Sequence, residues 1–320
     1  MKKLVLFFID GLGLGPDDAD RNPMRLLFTD LMSGRKLVDT KGPVFFPNGV
    51  MIPTDATLGV PGIPQSATGQ TSLFTGINAQ KHIGIHLSAF PNNELKILIE
   101  KHSLMKKLRQ YGVRSTSANL YSQEFFAKRK NHRRNLFPAS TLTIKASGSK
   151  FRFRDDYLAG QAVFADITNE LIRKRGYGIN LIKPEQAGRN MLNIVADNDF
   201  VFFEYFMTDL YGHSQNETEL KKCKDILERF TTTLWKGLDQ MDSGILIVSD
   251  HGNAEDISVV NHTTNKTPTL LFTCNRWAQR LFAARVRNLT DIYNTVLEYF
   301  GVMPSGESFK RTNGLRKRSV

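Results

Sequence analysis

Short apolar runs separated by helical patterns are the feature that most restricts the folds open to this chain of 320 residues. Helical patterns at Glu94–Tyr111, Gln161–Arg175, Glu217–Met241 and Leu289–Phe300 alternate with these runs. The runs end in polar or turn-forming residues, as buried strands do, and they span Leu4–Ile9, Val113–Ala118, Phe200–Phe206, Gly244–Val248 and Thr269–Phe272. Strands that alternate with helices predict an α/β fold, with a mostly parallel sheet sandwiched by helices.

The segment from Ser122 to Gly188 interrupts this alternation. We therefore predict a core formed by residues 1–121 and 189–309, with a small inserted cap at 122–188. Inside the insertion, Ala139–Arg154 mixes Thr, Ile, Phe and basic residues in a strand-like way. Residues 310–320 are polar and basic, which predicts a flexible tail.

The net charge of +12 is concentrated in one part of the chain. Residues 101–190 contain 19 Lys and Arg against 6 Asp and Glu. Two interpretations stay open, namely a solvated basic face and a field that attracts a small anionic substrate. The basic clusters Lys128–Lys130 and Arg133-Arg134 match no nucleic-acid-binding motif, so a nucleic acid partner is not expected.

The N-terminal residues resemble the start of a signal peptide, because Lys2-Lys3 precede the apolar run Leu4–Ile9. The run is short, Asp10 interrupts it and no small-residue cleavage site follows, so a buried strand fits better. No apolar stretch approaches the roughly 20 residues that a membrane span needs. Cys223 and Cys274 lack metal-ligand spacing and are expected to be thiols in a reducing compartment. We therefore expect a cytoplasmic protein.

Polar residues at the ends of the predicted strands carry the functional prediction, because sites in open α/β sheets form at the carboxyl ends of strands. Each could instead have an ordinary structural role, such as a turn or a helix cap. Together, however, they supply three carboxylates and three of the seven histidines: Asp10, Asp209, His213, Asp250, His251 and His262. Mixed carboxylate and imidazole ligands suit Zn²⁺ or Mn²⁺ better than Mg²⁺ or Ca²⁺. Six ligands are too many for one tetrahedral zinc and fit two metal ions.

The small residues around Ser66 predict a sharp turn into a helix. At the helix N-terminus the Ser66 hydroxyl would lie where amide dipoles favour an anion. The alternative is that Ser66 or Thr68 is simply an N-cap. Without the nearby metal ligands, that alternative would be preferred.

Taken in their order along the chain, the candidate ligands and the Ser66 segment resemble the motifs of the alkaline phosphatase superfamily. This superfamily includes cofactor-independent phosphoglycerate mutases, phosphopentomutases, nucleotide pyrophosphatases and sulfatases. In that superfamily the nucleophile typically stands nine residues before the Thr of a Thr-Gly pair. Thr75-Gly76 therefore selects Ser66 over Thr68. The segments most similar to the mutase branch are Asp10–Gly15, Asp209–His213, Asp250–Gly252 and His262–Asn265 followed by Pro268.

This resemblance implies an alkaline phosphatase-like core that binds two divalent metal ions, Zn or Mn, and forms a phosphoserine at Ser66. Asp10, Ser66, Asp250 and His251 would bind one metal ion. Asp209, His213 and His262 would bind the other. The activity expected is that of a phosphomutase or phosphatase on a small phosphorylated metabolite. Two alternatives remain, a phosphodiesterase or nucleotide pyrophosphatase and a non-catalytic binding protein.

The chain also departs from these families at several positions. It is much shorter than the bacterial phosphoglycerate mutases, so their substrate-binding residues cannot be transferred to it. Gln70 stands where those mutases have His, and Thr68 and Gln70 replace the Pro and Arg of the sulfatase motif, which argues against a formylglycine enzyme. Arg152 and Arg154, on one face of a predicted cap strand, could bind a substrate phosphate or carboxylate, although surface charge is the alternative.

Overall fold

The computed structural model describes residues 2–130 and 136–302. The strands in these residues are β1 (Lys3–Ile9), β2 (Val44–Phe46), β3 (Gly49–Thr54), β4 (Ser115–Ser117), β5 (Phe200–Tyr205), β6 (Ser243–Val248) and β7 (Thr267–Phe272). The helices are α1 (Ser66–Thr75), α2 (Ala79–Ile83), α3 (Asn93–His102), α4 (Leu104–Gln110), α5 (Gln123–Lys130), α6 (Ala139–Ala146), α7 (Arg154–Leu158), α8 (Glu170–Lys174), α9 (Pro184–Asp197), α10 (Met207–His213), α11 (Glu217–Gly237), α12 (Arg276–Arg285) and α13 (Leu289–Tyr299).

These strands form one sheet in the order β2-β3-β7-β6-β1-β5-β4. β4, β5, β1 and β6 are parallel neighbours, whereas β7 pairs antiparallel with β6 and with β3. β2 and β3 form an antiparallel hairpin at one edge. The predicted α/β fold with a mostly parallel sheet is therefore confirmed.

β1 lies in the middle of the sheet and is covered on both faces. Its residues from Leu4 to Ile9 are only 0–1% exposed. Val5, Phe7 and Ile9 pack into one core with residues of α9 and α11, whereas Leu4, Leu6 and Phe8 pack into a second core with residues of α1 and α13. Burial on both faces explains why residues 4–9 of β1 are all apolar and do not alternate between apolar and polar.

Helix α1 is anchored on the second face of the sheet by Phe74. The Phe74 ring contacts Phe8 and Phe202 edge to face, with centroids 5.5 and 5.4 Å apart. We expect Phe74→Ala to lower the free energy of unfolding by about 3–5 kcal/mol, measured by urea denaturation, because it leaves a cavity between helix and sheet. Phe45→Ala on the edge strand β2, where the ring is 44% exposed, is the control. Equal losses of stability in the two variants would contradict this account of the packing.

Two predicted helices differ from the observed ones. The pattern Glu94–Tyr111 forms α3 and α4 rather than one helix, because the Ser103 side chain accepts a hydrogen bond from the Lys106 N–H and starts a new helix. The prediction of a helix at Gln161–Arg175 is wrong for the residues before Glu170, where α8 begins. There Val163 pairs with Asn119 in a β-bridge, and Asn169 adopts a left-handed conformation with φ of 68°.

The strand-like prediction for Ala139–Arg154 is also wrong. Ala139–Ala146 forms α6, and its residues Ala139 and Ile144 pack into the same core as α1 and α3. Burial of one helix face therefore outweighs the β-propensity of its Thr and Ile residues. Arg152 lies in an isolated bridge with Leu120 and Arg154 begins α7, so the two arginines share no strand.

The segment 122–188 contains α5 to α8 and the start of α9. Part of it, α6, joins the helical layer over the sheet, so that part does not stand apart as a cap. Another part forms a small core of its own, with Leu120, Ala162, Phe164, Ile172 and Ile179. Bridges from Asn119 to Val163 and from Leu120 to Arg152 hold this part directly beyond the carboxyl end of β4. The division of the chain into core and cap stays a prediction.

Some sequence predictions concern other features of the chain. Arg133-Arg134 and the predicted tail 310–320 lie outside the described residues. Cys223 is buried, Cys274 is partly buried, and both are free thiols. Among residues 2–130 and 136–302, no helix combines the length and the apolar character required to cross a bilayer.

Candidate metal centre and nucleophile

The carboxyl ends of three neighbouring strands bring most of the predicted site residues together. Asp10 directly follows β1, and Asp250 follows β6 after a single intervening serine. Helix α10, which follows β5, carries Asp209 and His213 on one turn. His262 lies in the loop before β7.

Four of these residues form an inner group, Asp10, Ser66, Asp250 and His251, around one imidazole nitrogen. His251 Nε2 lies 3.4 Å from Asp10 Oδ1, 3.5 Å from Asp250 Oδ2 and 3.0 Å from Ser66 Oγ. The side chains of Asp250 and His251 have no exposed surface. Three potential ligand atoms therefore surround His251 Nε2 in a buried site.

The other three residues form an outer group, Asp209, His213 and His262. The Nε2 atoms of the two imidazoles are 3.1 Å apart, and each lies 3.5 Å from Asp209 Oδ1. Their Nδ1 atoms are turned away, because His213 Nδ1 contacts the Val260 carbonyl and His262 Nδ1 contacts the Pro64 carbonyl. Such Nδ1 contacts fix the ring so that Nε2 is free to bind a metal.

The two groups meet through stacked imidazoles and differ in exposure. The His251 and His262 rings stack with centroids 3.6 Å apart. The His213 side chain is 43% exposed, so the outer group opens to solvent. In the inner group, Asp250 and His251 are fully buried, whereas Ser66 is partly exposed.

Ser66 is the first residue of α1, and it is not the N-cap. The N-cap residue is Gln65, which makes no side-chain capping hydrogen bond. Thr68, the other candidate nucleophile, donates a hydrogen bond to the Gln65 carbonyl and accepts one from the Leu87 N–H. Of these two hydroxyls, that of Ser66 contacts a potential metal ligand.

The charges of the inner group are not balanced by the chain itself. Burial, followed by the nearby charge of Asp209, raises the pKa of Asp250 to about 8. Burial, followed by the charge of Asp250, holds the pKa of Asp10 well above its usual range. Asp10 Oδ1 and both Asp250 oxygens are buried without a hydrogen-bond partner. Unpaired buried carboxylates are costly, and a divalent cation would satisfy them, so the inner group fits a metal ion. Asp209 and His262 lie close enough to His251 to form a second candidate site.

These raised pKa values predict how metal binding depends on pH. Between pH 6.5 and 8 the folded Asp10 and Asp250 carboxyls still hold protons that the unfolded chain lost near pH 4. The unfolded counterparts of His251 and His262 are only about half protonated at pH 6.5 and lose these protons by about pH 7.5, so they offset only part of this difference. The metal-free protein therefore binds more protons when folded, and its stability falls as the pH rises from about 6.5 to about 8. A bound cation replaces these protons on the carboxylates and so prevents the loss of stability at high pH. We expect Mn²⁺ to raise the melting temperature more at pH 8 than at pH 6.5, measured by scanning calorimetry. Equal rises at both pH values would contradict the titration described for Asp250.

Arg152 and Arg154 lie in surroundings that differ from the predicted ones. The Arg152 guanidinium donates to the Ser117 and Gln161 carbonyls and to the Thr116 hydroxyl. Ser117 and Thr116 belong to β4, so the buried Arg152 guanidinium packs against this edge strand. Arg154 is exposed at the start of α7. The shared face on which their predicted role in substrate binding depended is therefore absent.

Other polar residues beside the site escaped the sequence prediction. The Gln70 amide donates to Asp10 Oδ2 at 3.3 Å, and the Asn253 amide donates to Asp209 Oδ1 at 3.0 Å. Glu204 is the penultimate residue of the otherwise apolar β5 and accepts a hydrogen bond from the Ser140 hydroxyl. Burial raises its pKa to about 7. An acidic residue inside an apolar run was the available sequence signal for Glu204.

Comparison with known proteins agrees with this geometry. A family model described as the metalloenzyme superfamily matches residues 176–304, which include five of the candidate ligands. The phosphopentomutase of Limosilactobacillus reuteri is 24% identical over 259 residues, which cover 78% of this chain and 63% of that protein. A 2,3-bisphosphoglycerate-independent phosphoglycerate mutase of Anaplasma marginale is 22% identical over 138 residues, covering 39% of this chain and 27% of that protein. The chain thus spans less than two thirds of the length of these relatives.

Solved structures share the fold at low sequence identity. The PH0037 protein from Pyrococcus horikoshii superposes with a TM-score of 0.57 at 15% identity, covering 96% of this chain and 99% of that one. The alkaline phosphatase of the Antarctic bacterium TAB5 superposes with a TM-score of 0.51 at 11% identity, covering 92% and 96%. The chain therefore has an alkaline phosphatase-like fold and matches the metalloenzyme superfamily, and the resemblance predicted from the sequence is confirmed. Its relatives by sequence include phosphomutases.

Proposed function

We propose that this chain is a metal-dependent phosphoryl-transfer enzyme that forms a phosphoserine at Ser66. The observation that supports this most directly is the place of the Ser66 hydroxyl, at the N-terminus of α1 and 3.0 Å from His251 Nε2. Asp10, Asp250 and His251 would hold one divalent ion with Ser66, and Asp209, His213 and His262 would hold the other. When bound, Zn²⁺ or Mn²⁺ ions would favour loss of the Ser66 hydroxyl proton and neutralise charge on the phosphoryl group.

The reaction proposed has two steps. The Ser66 oxygen attacks phosphorus in line, so that the bond from Ser66 to phosphorus forms as the bond to the leaving alcohol oxygen breaks. The phosphoryl group then passes from Ser66 to water in a phosphatase, or to a second hydroxyl in a mutase. The N-terminus of α1 favours the negative charge of the phosphoryl group in both steps.

The proposed substrate is a small phosphorylated metabolite. Two features support it, the excess of positive charge between residues 101 and 190 and the similarity to a phosphopentomutase and a phosphoglycerate mutase. A mutase must keep water away from the phosphoserine. The small core around Phe164 and Ile172, held beyond the carboxyl end of β4, is the candidate cover.

A substrate comparison tests this proposal. Protein loaded with Zn²⁺ or Mn²⁺ would be incubated with p-nitrophenyl phosphate, bis(p-nitrophenyl) phosphate and ribose phosphate, and the products followed by absorbance and phosphorus NMR. Free phosphate from the monoesters indicates a phosphatase, whereas an isomerised sugar phosphate without release indicates a mutase. Preferential cleavage of the diester would favour a phosphodiesterase or nucleotide pyrophosphatase instead.

The control for this comparison is protein treated with a chelator and then reloaded with metal. Activity that disappears on chelation and returns on reloading is the expected result. Equal turnover before and after chelation would contradict the role of the metals. Bound metal with no turnover of any substrate class would instead favour a binding protein that retains the fold.

A further inference from the structure

Glu255 is a fully buried acidic residue that belongs to neither the inner nor the outer group. Its carboxylate accepts four hydrogen bonds. Oε2 accepts from the Gly13 N–H at 3.0 Å and from the Asn253 N–H at 2.7 Å. Oε1 accepts from the Thr263 hydroxyl and, at 3.0 Å, from the Asn265 amide. The carboxylate is therefore saturated with donors from the chain, unlike that of Asp250.

These four donors belong to the three loops that carry candidate metal ligands. Gly13 lies in the loop after β1, three residues beyond Asp10. Asn253 lies in the loop after β6 that carries Asp250 and His251. Thr263 directly follows His262. One carboxylate thus ties together the loops of both groups.

Glycines let these loops approach the Glu255 carboxylate closely. A Cβ atom on Gly13 would lie 2.2 Å from Glu255 Cδ, and one on Gly252 would lie 2.3 Å from Glu255 Oε1. These distances are far below the contact distance of carbon and oxygen atoms, so a side chain at either position would displace the Glu255 carboxylate from its hydrogen bonds. The motifs Asp10–Gly15 and Asp250–Gly252 therefore supply the space that Glu255 occupies.

Glu255 is also connected to Asp209 of the outer group through one intervening residue. It holds the backbone of Asn253, and the Asn253 side chain donates to Asp209 Oδ1. Gly212 lets helix α10 lie close to the Asn253 side chain, because a Cβ atom at position 212 would lie 2.5 Å from Asn253 Oδ1. The position of Asp209 thus depends on the loop that Glu255 fixes.

We propose that Glu255 is the positioning residue of the metal centre: it holds the three ligand-bearing loops in register and so sets the affinity for the metal ions without contacting either. Hydrogen bonds behind the ligands maintain ligand geometry, and their loss typically lowers metal affinity 10- to 100-fold. The inference rests on the metal-binding part of the proposed function and not on the identity of the substrate.

The experiment compares metal affinity in the full chain and three variants, using Zn²⁺ competition with a chromophoric chelator on metal-free protein. Glu255→Gln keeps the shape of the side chain and removes its charge. Thr263→Val removes one donor to Glu255 at constant size, and Thr263→Ser keeps that donor as the matched control. We expect Zn²⁺ affinity to fall about 10- to 100-fold in Glu255→Gln and Thr263→Val, and to change less than about twofold in Thr263→Ser.

A second measurement separates positioning from simple stabilisation. The melting temperature of each metal-free variant shows whether the fold itself has weakened. A lower melting temperature with unchanged Zn²⁺ affinity in Glu255→Gln and Thr263→Val would overturn the proposal. If Glu255→Gln does not fold, the difference in Zn²⁺ affinity between Thr263→Val and Thr263→Ser tests the proposal. Absence of Zn²⁺ and Mn²⁺ binding by the unmodified chain would instead refute the proposed metal centre itself.

Discussion

Ser66→Ala is expected to lower the rate of phosphoryl transfer by at least about ten thousandfold, because the atom that attacks phosphorus is removed. The chain should still bind divalent metal ions, since six other candidate ligands remain around the positions of the two ions. Turnover of p-nitrophenyl phosphate and the metal content after dialysis measure the two properties. A second readout is the intact mass after acid quenching, which should show a phosphorylated species in the unmodified chain and none in the variant.

Ser72→Ala is the matched control for this substitution, since Ser72 lies on the same helix. Its hydroxyl donates to the Thr68 carbonyl and to the Gln80 side chain, so its contacts are structural. Turnover should change by less than about twofold. Full activity of Ser66→Ala, or phosphorylation that persists in it, would refute the assignment of the nucleophile.

Asp250→Asn is expected to move activity and stability in opposite directions. The neutral amide is a poor metal ligand, so the inner ion should be lost and turnover should fall at least about a thousandfold. In the metal-free protein at pH 8, however, the substitution removes a buried carboxylate without hydrogen-bond partners whose pKa burial has raised to about 8. The free energy of unfolding should therefore rise by about 1–3 kcal/mol.

Urea denaturation with and without chelator, together with Zn²⁺ competition, measures both effects of Asp250→Asn. Asp20→Asn, at an exposed position outside the ligand set, is the control and should change neither property. A metal-free Asp250→Asn protein that is less stable than the unmodified one would contradict the electrostatic description of the inner group. Unchanged Zn²⁺ affinity would contradict the role of Asp250 as a ligand.

Much of the fold could be predicted because β1, β5 and β6 are buried on both faces and are therefore mostly apolar. The β2–β3 hairpin was not predicted. β3 holds Pro53, which lowers the strand signal, yet it pairs with β7 near the edge of the sheet. The errors at Ala139–Arg154 and Gln161–Arg175 have one cause, since contacts with distant segments decide the local structure there.

The candidate ligands could be proposed from sequence because they stand in short motifs near the ends of predicted strands. The Nδ1 contacts of His213 and His262 were not predictable, because their partners are backbone carbonyls of Val260 and Pro64, which carry no residue-type signal. Glu255 was missed for a related reason. It lies three residues after the Asp250–Gly252 motif, but its partner Gly13 is distant in sequence and becomes a neighbour only in the folded protein.

The central place of β1 has a consequence for how the chain is made. Among the strands of residues 2–130 and 136–302, β1 is synthesised first, yet both of its neighbours come late, with β5 beginning at Phe200 and β6 at Ser243. Until they emerge, the apolar residues Leu4–Ile9 have no sheet partners, and such exposed strands aggregate. Because Asp10 precedes both of these strands and His262 follows them, neither candidate group can be complete until β5 and β6 have been synthesised. An excess of metal ions therefore cannot protect the exposed β1 during that interval.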